Sequence, residues 1–104
     1  MALKKYDLRF TALFYQDLMS AVDYIENTLK NPAAADRLIS KAESEINKRL
    51  DYPLAFQPYP LKKERKYPYY AIPVGNYLAF YVVIGDTMEV RRFLYSRRDF
   101  DNLM

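Results

Sequence analysis

The run Val74-Gly75-Asn76-Tyr77-Leu78-Ala79-Phe80-Tyr81-Val82-Val83-Ile84-Gly85-Asp86-Thr87 contains one strand and both of its turns. Tyr77 to Ile84 is apolar at every position, so both faces of the strand are made for burial, which places it inside a sheet rather than at its margin. Gly75-Asn76 and Gly85-Asp86 suit two-residue hairpin turns. The flanking stretches, Tyr67 to Val74 and Thr87 to Tyr95, then run antiparallel to the central strand as a three-stranded meander. Pro68 and Pro73 lack the N–H that a ladder requires, so the first of these strands is an edge or pairs irregularly.

Upstream of the meander, Lys5-Tyr6-Asp7-Leu8-Arg9-Phe10 alternates, with Tyr6, Leu8 and Phe10 on one face, and reads as a half-buried strand. Thr11 offers a hydroxyl to cap the helix that follows. Phe14, Leu18, Ala21, Val22, Ile25 and Leu29 recur at three- and four-residue steps and draw one apolar stripe. Pro32 disfavours helical geometry in the residue before it and suits the first turn of a new helix, with Asn31 as cap. Ala35, Leu38, Ile39, Ala42, Ile46 and Leu50 form the second stripe. The link between the helices is short, so they fold back as an antiparallel hairpin whose stripes face a shared sheet. Pro53, Pro58 and Pro60 make residues 51–61 an irregular, aromatic-rich loop, and Lys62-Lys63-Glu64-Arg65-Lys66 follows.

The predicted fold is α+β in the order β-α-α-β-β-β, one domain over residues 1–104. A helical hairpin packs on one face of a four-stranded, mostly antiparallel sheet. With no third long helix, the other face is expected to stay open, partly apolar and rimmed with arginine, as a groove or docking surface. Tyr77 and Tyr81 are the tyrosines expected to line it.

Composition narrows the chemistry. There is no cysteine and no histidine among the 104 residues, which removes disulfides, thiolate ligands, the thiol nucleophile and the usual general base. No apolar run reaches the length of a membrane span and the opening Met1-Ala2-Leu3-Lys4-Lys5-Tyr6 lacks a signal-peptide pattern, so the expectation is a cytoplasmic protein without metal or cofactor. The formal charge of +3 is uneven: residues 1–61 hold eight basic and eight acidic side chains, residues 62–104 eight against five. A polyanion or an acidic protein segment fits the second part, although a solvated surface has the same composition.

Several strings, in this order, resemble the RelE/ParE toxin superfamily: Tyr6-Asp7-Leu8-Arg9-Phe10-Thr11, Asp23-Tyr24-Ile25, Asn31-Pro32-Ala33-Ala34-Ala35, Val74-Gly75-Asn76-Tyr77-Leu78-Ala79-Phe80-Tyr81, and Val90-Arg91-Arg92-Phe93-Leu94-Tyr95-Ser96-Arg97-Arg98-Asp99-Phe100. The resemblance implies the toxin of a type II toxin–antitoxin pair, of the plasmid-stabilisation type. A cognate antitoxin would hold it in a hetero-oligomer. Its target would be DNA gyrase, as for ParE-like members, or ribosome-bound mRNA, as for RelE-like endoribonucleases.

The nuclease branch carries basic residues on the meander and a Tyr or His near its end. Here Tyr70, Ala71, Ile72 and Leu78 stand at the matching positions, and only Arg97, with Tyr95 as a conceivable acid, remains as a catalytic candidate. Gyrase binding is therefore the favoured expectation, a metal-independent endoribonuclease the alternative, and a non-toxic binding module the third. Candidate residues for target or antitoxin binding are Arg91, Arg92, Arg97, Arg98, Lys62, Lys63, Arg65, Lys66, Tyr77 and Tyr81. Each has a plain structural role available: Arg92 as the partner of Asp7 or Glu89, the other cations as solvated charge, the tyrosines as sheet residues.

Overall fold

The computed structural model describes residues 5–104. The opening Met1–Lys4, read above for a leader segment, lies outside the described residues. Strand β1 (Asp7–Phe10) leads into helix α1 (Ala12–Asp23), a π-helical turn (Tyr24–Thr28) and helix α2 (Pro32–Leu50); strands β2 (Tyr70–Val74), β3 (Tyr77–Ile84) and β4 (Thr87–Tyr95) follow, then a short helix α3 (Phe100–Leu103). The sheet order is β1-β4-β3-β2, with β1 parallel to β4 and the other pairs antiparallel. This is the expected α+β arrangement of a helical hairpin on a mixed sheet.

Local chemistry sets the element ends. Thr11 accepts from the Phe14 N–H at 3.1 Å while its hydroxyl donates to the Arg91 carbonyl at 2.9 Å, so one side chain caps α1 and ties it to β4. Asn31 accepts from the Ala34 N–H at 3.1 Å, with Pro32 in the first turn of α2. Gly75 and Gly85 each open a two-residue turn with φ of +58° and +60°. Positive φ confined to the first turn position matches the type II′ hairpin, for which glycine is the favoured residue.

The π-helical turn was not legible in the periodicity, and it changes one residue. The extra residue in that turn rotates everything after it by about 100° relative to the α1 stripe. Leu29, expected on the buried stripe, is 55% exposed as a result. The helix closes with Leu29 N–H donating to the Tyr24 carbonyl and Asn31 N–H to the Ile25 carbonyl, both at 3.0 Å, around Lys30 at φ 55°. That is a left-handed helix cap on a residue with a β-carbon, where glycine is the unstrained choice. Lys30→Gly is expected to raise the unfolding free energy by about 1 kcal/mol, read from the urea midpoint. An unchanged or lowered midpoint would show that the cap is unstrained.

The main core lies between the helices and one sheet face: Phe14, Leu18, Ala21, Leu38, Ala42 and Ile46 pack on Tyr70, Ile72, Val74, Ala79, Tyr81, Met88, Val90 and Phe93. Tyr81 is wholly buried there and does not line an open face. Its hydroxyl donates to the Pro53 carbonyl at 2.7 Å and accepts from Arg49 at 3.0 Å. Arg49 in turn lies 3.6 Å from the ring centre of Phe56. Tyr81 thus pins the loop that follows α2. Tyr77 also faces the helical side, stacked on Phe93 at 5.1 Å.

The opposite sheet face is not left open, contrary to the expectation from two helices. Phe100 and Met104 at the C-terminal end, with Tyr59 and Leu61 from the long loop, pack on Phe80, Leu78, Leu94 and Ala71 as a second small core. Phe100 sits 4.8 Å from Phe80 and 5.6 Å from Tyr59, ring centre to ring centre. A loop and a four-residue helix cover what two long helices could not reach.

Candidate functional site

A break in the alternation of β4 organises its arginines. From Val90, strict alternation would bury Arg92 and expose Phe93. The pairing instead runs Tyr81 with Val90 and Phe80 with Arg92, leaving Arg91 as an extra residue. This bulge keeps both arginines off the main core and returns Phe93 to it. The string Val90-Arg91-Arg92-Phe93-Leu94 carries that signal, since two arginines between apolar residues cannot both be reconciled with a regular strand.

The two arginines then part. Arg91 donates to Glu89 at 2.6 Å and to the Tyr69 hydroxyl at 3.1 Å. Arg9 on β1 donates to the other Glu89 oxygen at 2.7 Å. Burial alone would push the Glu89 carboxyl up, but the hydrogen bonds from Arg91 and Arg9 outweigh it and hold its pKa below the ordinary 4.5. A carboxylate depressed in the folded state stabilises fully above its unfolded pKa and loses that contribution as pH falls through its folded value. The wild-type chain should therefore be more stable than Glu89→Gln at pH 7, with the gap closing in urea titrations carried below about pH 4.5. A gap independent of pH would remove the ion pairs from the account.

Arg92 lies where β4 has outrun β1, which pairs only as far as Val90. The notional partners Asp7 and Glu89 are not used. Asp17 on α1 takes its guanidinium at 2.7 and 3.1 Å and also accepts from the Phe93 N–H at 3.0 Å. Arg92 donates as well to the Leu103 carbonyl at the end of α3. The pair side chains are only 13% and 12% exposed, so Arg92 is a structural clamp across the strand edge.

Asp17 and Arg92 of that clamp also line a groove of about 810 Å³ at the free edge of β4. One wall is α1 and the π-helical turn, with Ala21, Tyr24, Ile25 and Leu29; the other is Tyr77, Tyr95 and Leu103, with Arg98 at the rim. The π-helical turn makes this wall, because it turns Leu29 out of the core. Tyr24, Leu29 and Tyr95 are large apolar residues left exposed. Burial, with the nearby Tyr24 and Tyr95 phenols adding to it, pushes the Tyr77 phenol above its ordinary pKa of 10.0. Tyr77 is therefore a neutral hydrogen-bond donor near pH 7, and the groove offers apolar surface, phenol hydroxyls and positive charge together.

The remaining candidates fall elsewhere. Arg97 and Arg98 are exposed in the turn after β4, and only Arg98 lines the groove. Arg65 is drawn inward, to the Lys63 carbonyl at 2.8 Å and the Met104 main-chain oxygen at 2.7 Å. Lys62, Lys63 and Lys66 are exposed on the long loop. Among the described residues, no group of three acidic side chains is placed to hold a cation. Tyr24, Leu29 and Leu103 were missed as candidates, because their exposure follows from the π-helical turn and the C-terminal packing.

The chain shares this architecture with known toxins. It is similar in structure to the chromosomal ParDE toxin–antitoxin system from P. aeruginosa, with 14% identity, TM-score 0.72, and coverage of 88% of this chain and 97% of that one. It is also similar to the E. coli DinJ–YafQ toxin–antitoxin complex at 11% identity and TM-score 0.57, covering 88% and 92%, and to the YoeB dimer from Staphylococcus aureus at 16% and 0.57, covering 88% and 97%. These likenesses define the class: a RelE/ParE-like toxin fold. The sequence family described as the ParE toxin of the type II toxin–antitoxin system parDE matches residues 8–100, and the chain belongs to it. It is a type II toxin–antitoxin toxin. A search of curated proteins gave no significant match. Among the described residues, no helix is long and apolar enough to cross a membrane.

Proposed function

We propose that this toxin arrests growth by binding DNA gyrase, and that a cognate antitoxin silences it by laying an apolar, acidic segment in the groove along the β4 edge. The groove carries the antitoxin half of this reading, joining exposed Leu29, Tyr24 and Tyr95 to the cation of Arg98; the gyrase half is supported by the ParE family match and by Tyr70, Ala71, Ile72 and Leu78 at the positions where the nuclease branch is basic. Peptide segments that bind such grooves anchor by apolar side chains and are oriented by charge at the rim. The P. aeruginosa and E. coli structures are themselves toxin–antitoxin systems, which supports a partner of the same kind here.

The ribosome-dependent endoribonuclease is the second reading, and the Arg91–Glu89–Tyr69 cluster is what favours it, since an arginine, a carboxylate and a phenol can serve phosphoryl chemistry. Against it, Glu89 is held between two arginines with a lowered pKa and is a weak base. Tyr95 and Arg97 lie past the bulge, Tyr95 in the groove lining and Arg97 in the exposed turn after β4, and neither joins that cluster.

Two assays separate the readings. The purified chain should block gyrase supercoiling and leave mRNA intact in a reconstituted translation system. Ribosome-dependent cleavage with normal supercoiling selects the nuclease, and neither effect leaves the non-toxic binding module. Arg97→Ala with Arg98→Ala should weaken growth arrest in a folded protein, whereas Arg92→Ala belongs with stability. Target binding should also weaken more with salt than antitoxin binding, because screened charge contributes more to it.

A further inference from the structure

The stretch Tyr59-Pro60-Leu61-Lys62-Lys63-Glu64-Arg65-Lys66-Tyr67-Pro68-Tyr69 takes no part in the groove, yet it is built. Its neck is closed by the Tyr59 N–H donating to the Tyr69 carbonyl at 2.7 Å. Its tip is held by Asp101, whose Oδ1 accepts from the N–H groups of Lys62 at 2.7 Å and Lys63 at 3.2 Å. Arg65 ties it to the end of α3. These contacts use main-chain atoms, the Asp101 carboxylate and the Arg65 guanidinium, and Lys62, Lys63 and Lys66 are exposed. A pocket of about 250 Å³ opens in the same loop, lined by Tyr59, Lys63, Arg65, Tyr67, Pro68 and Tyr69; of the three lysines, Lys63 lines it, and Lys62 and Lys66 flank that stretch in sequence.

Charge alone would attract any acidic partner. Aromatic rings interleaved with cations around a small preformed pocket are more selective. Tyr69 lies between Arg65 and Arg91, 5.6 and 5.7 Å from its ring centre. Tyr59 is engaged with Phe80 and Phe100. Tyr67 is half-buried, lines the pocket and has the flexible Lys66 ammonium 5.5 Å from its ring centre, a cation that an incoming π-system can displace. A planar ring on Tyr67 with anionic groups beside it on the lysines is the pattern by which single strands are held, base on aromatic and phosphate on cation. A paired base inside a duplex cannot present its face in this way.

We propose that this loop binds a single-stranded polynucleotide, one unstacked base lying on Tyr67 and Pro68 and the flanking phosphates on Lys62, Lys63 and Lys66. The site is separate from the groove and does not depend on which target is poisoned. Both candidate targets handle nucleic acid, so the loop can grip a strand presented by the target while the groove remains free for protein.

Fluorescence anisotropy with labelled oligo-dT and oligo-U tests it on the whole chain. At about 50 mM salt the wild type should bind, with log K falling against log salt at a slope of about −1.4 to −2.1 for two or three phosphates. Lys62→Glu with Lys63→Glu should weaken binding at least about tenfold and flatten that slope. Tyr67→Ala should weaken it about five- to a hundredfold while leaving the slope unchanged. Arg37→Glu with Lys41→Glu, on the exposed side of α2, makes the same change in net charge and should leave binding within about twofold of wild type. Preference for either oligomer, or for neither, supports the site and says which strand it takes. No binding to either, an equal loss in the α2 variant, or no effect of Tyr67→Ala in a folded protein overturns it. Supercoiling and cleavage are read separately, so the target assignment and the loop can fail independently.

Discussion

Asp17→Ala is expected to destabilise the chain by about 3 kcal/mol, near the low end of the cost of breaking a buried ion pair. Removing the carboxylate leaves the Arg92 guanidinium largely enclosed without its counter-charge and the Phe93 N–H without an acceptor. Each loss would count alone, and they fall at one place, where α1 seals the edge of β4. Asp17→Asn keeps an acceptor for the main chain and should cost clearly less. The sharper test is Asp17→Leu with Arg92→Leu. Apolar replacement of both partners removes the desolvation burden together with the attraction, so the double variant should unfold at higher urea than Asp17→Ala. If the double variant is the less stable, the pair is a net source of stability and the clamp account needs revision.

Phe100→Ala is the second large effect, about 3 kcal/mol for a buried aromatic truncated to a methyl group. Phe100 is 7% exposed and joins the C-terminal helix, the long loop and Phe80. The loss should spread to Asp101 and therefore to the Lys62 and Lys63 amides it accepts from. Hydrogen exchange should show those amides losing protection along with Phe80. Exposure of the last residues alone, with the urea midpoint unchanged, would mean that the segment opens by itself and is not part of the cooperative core.

Much of the candidate surface could not be read in one dimension. Arg92 is prominent in the sequence, but its clamp on Asp17 joins residues far apart in the chain. Tyr81 looked equally available on a strand with two apolar faces, because alternation cannot say which side the helices will cover. The π-helical turn hides in a regular stripe, since a single extra residue alters no composition and no capping signal. Arg98 and the exposed lysines were visible as charge, but that Arg98 borders a groove and Lys63 a pocket depends on how the chain packs around them.

The order of elements, both helix caps, the two glycine turns and the central position of β3 were determined by the sequence alone. Each is local: a hydroxyl three residues from an N–H, a proline that cannot continue a helix, a residue free to take positive φ, a run with no polar side. The tertiary structure alone decided that neither sheet face was left free. Two long helices account for only one side, and the other was filled by a loop and a four-residue helix whose separate apolar patterns are too short to signal burial. Phe100, Met104, Tyr59 and Leu61 have no periodicity in common; they meet because the sheet offers them Phe80, Leu78 and Leu94 to cover. Burial across such distances is a property of the packed chain, and it moved the open surface from the face of the sheet to its edge.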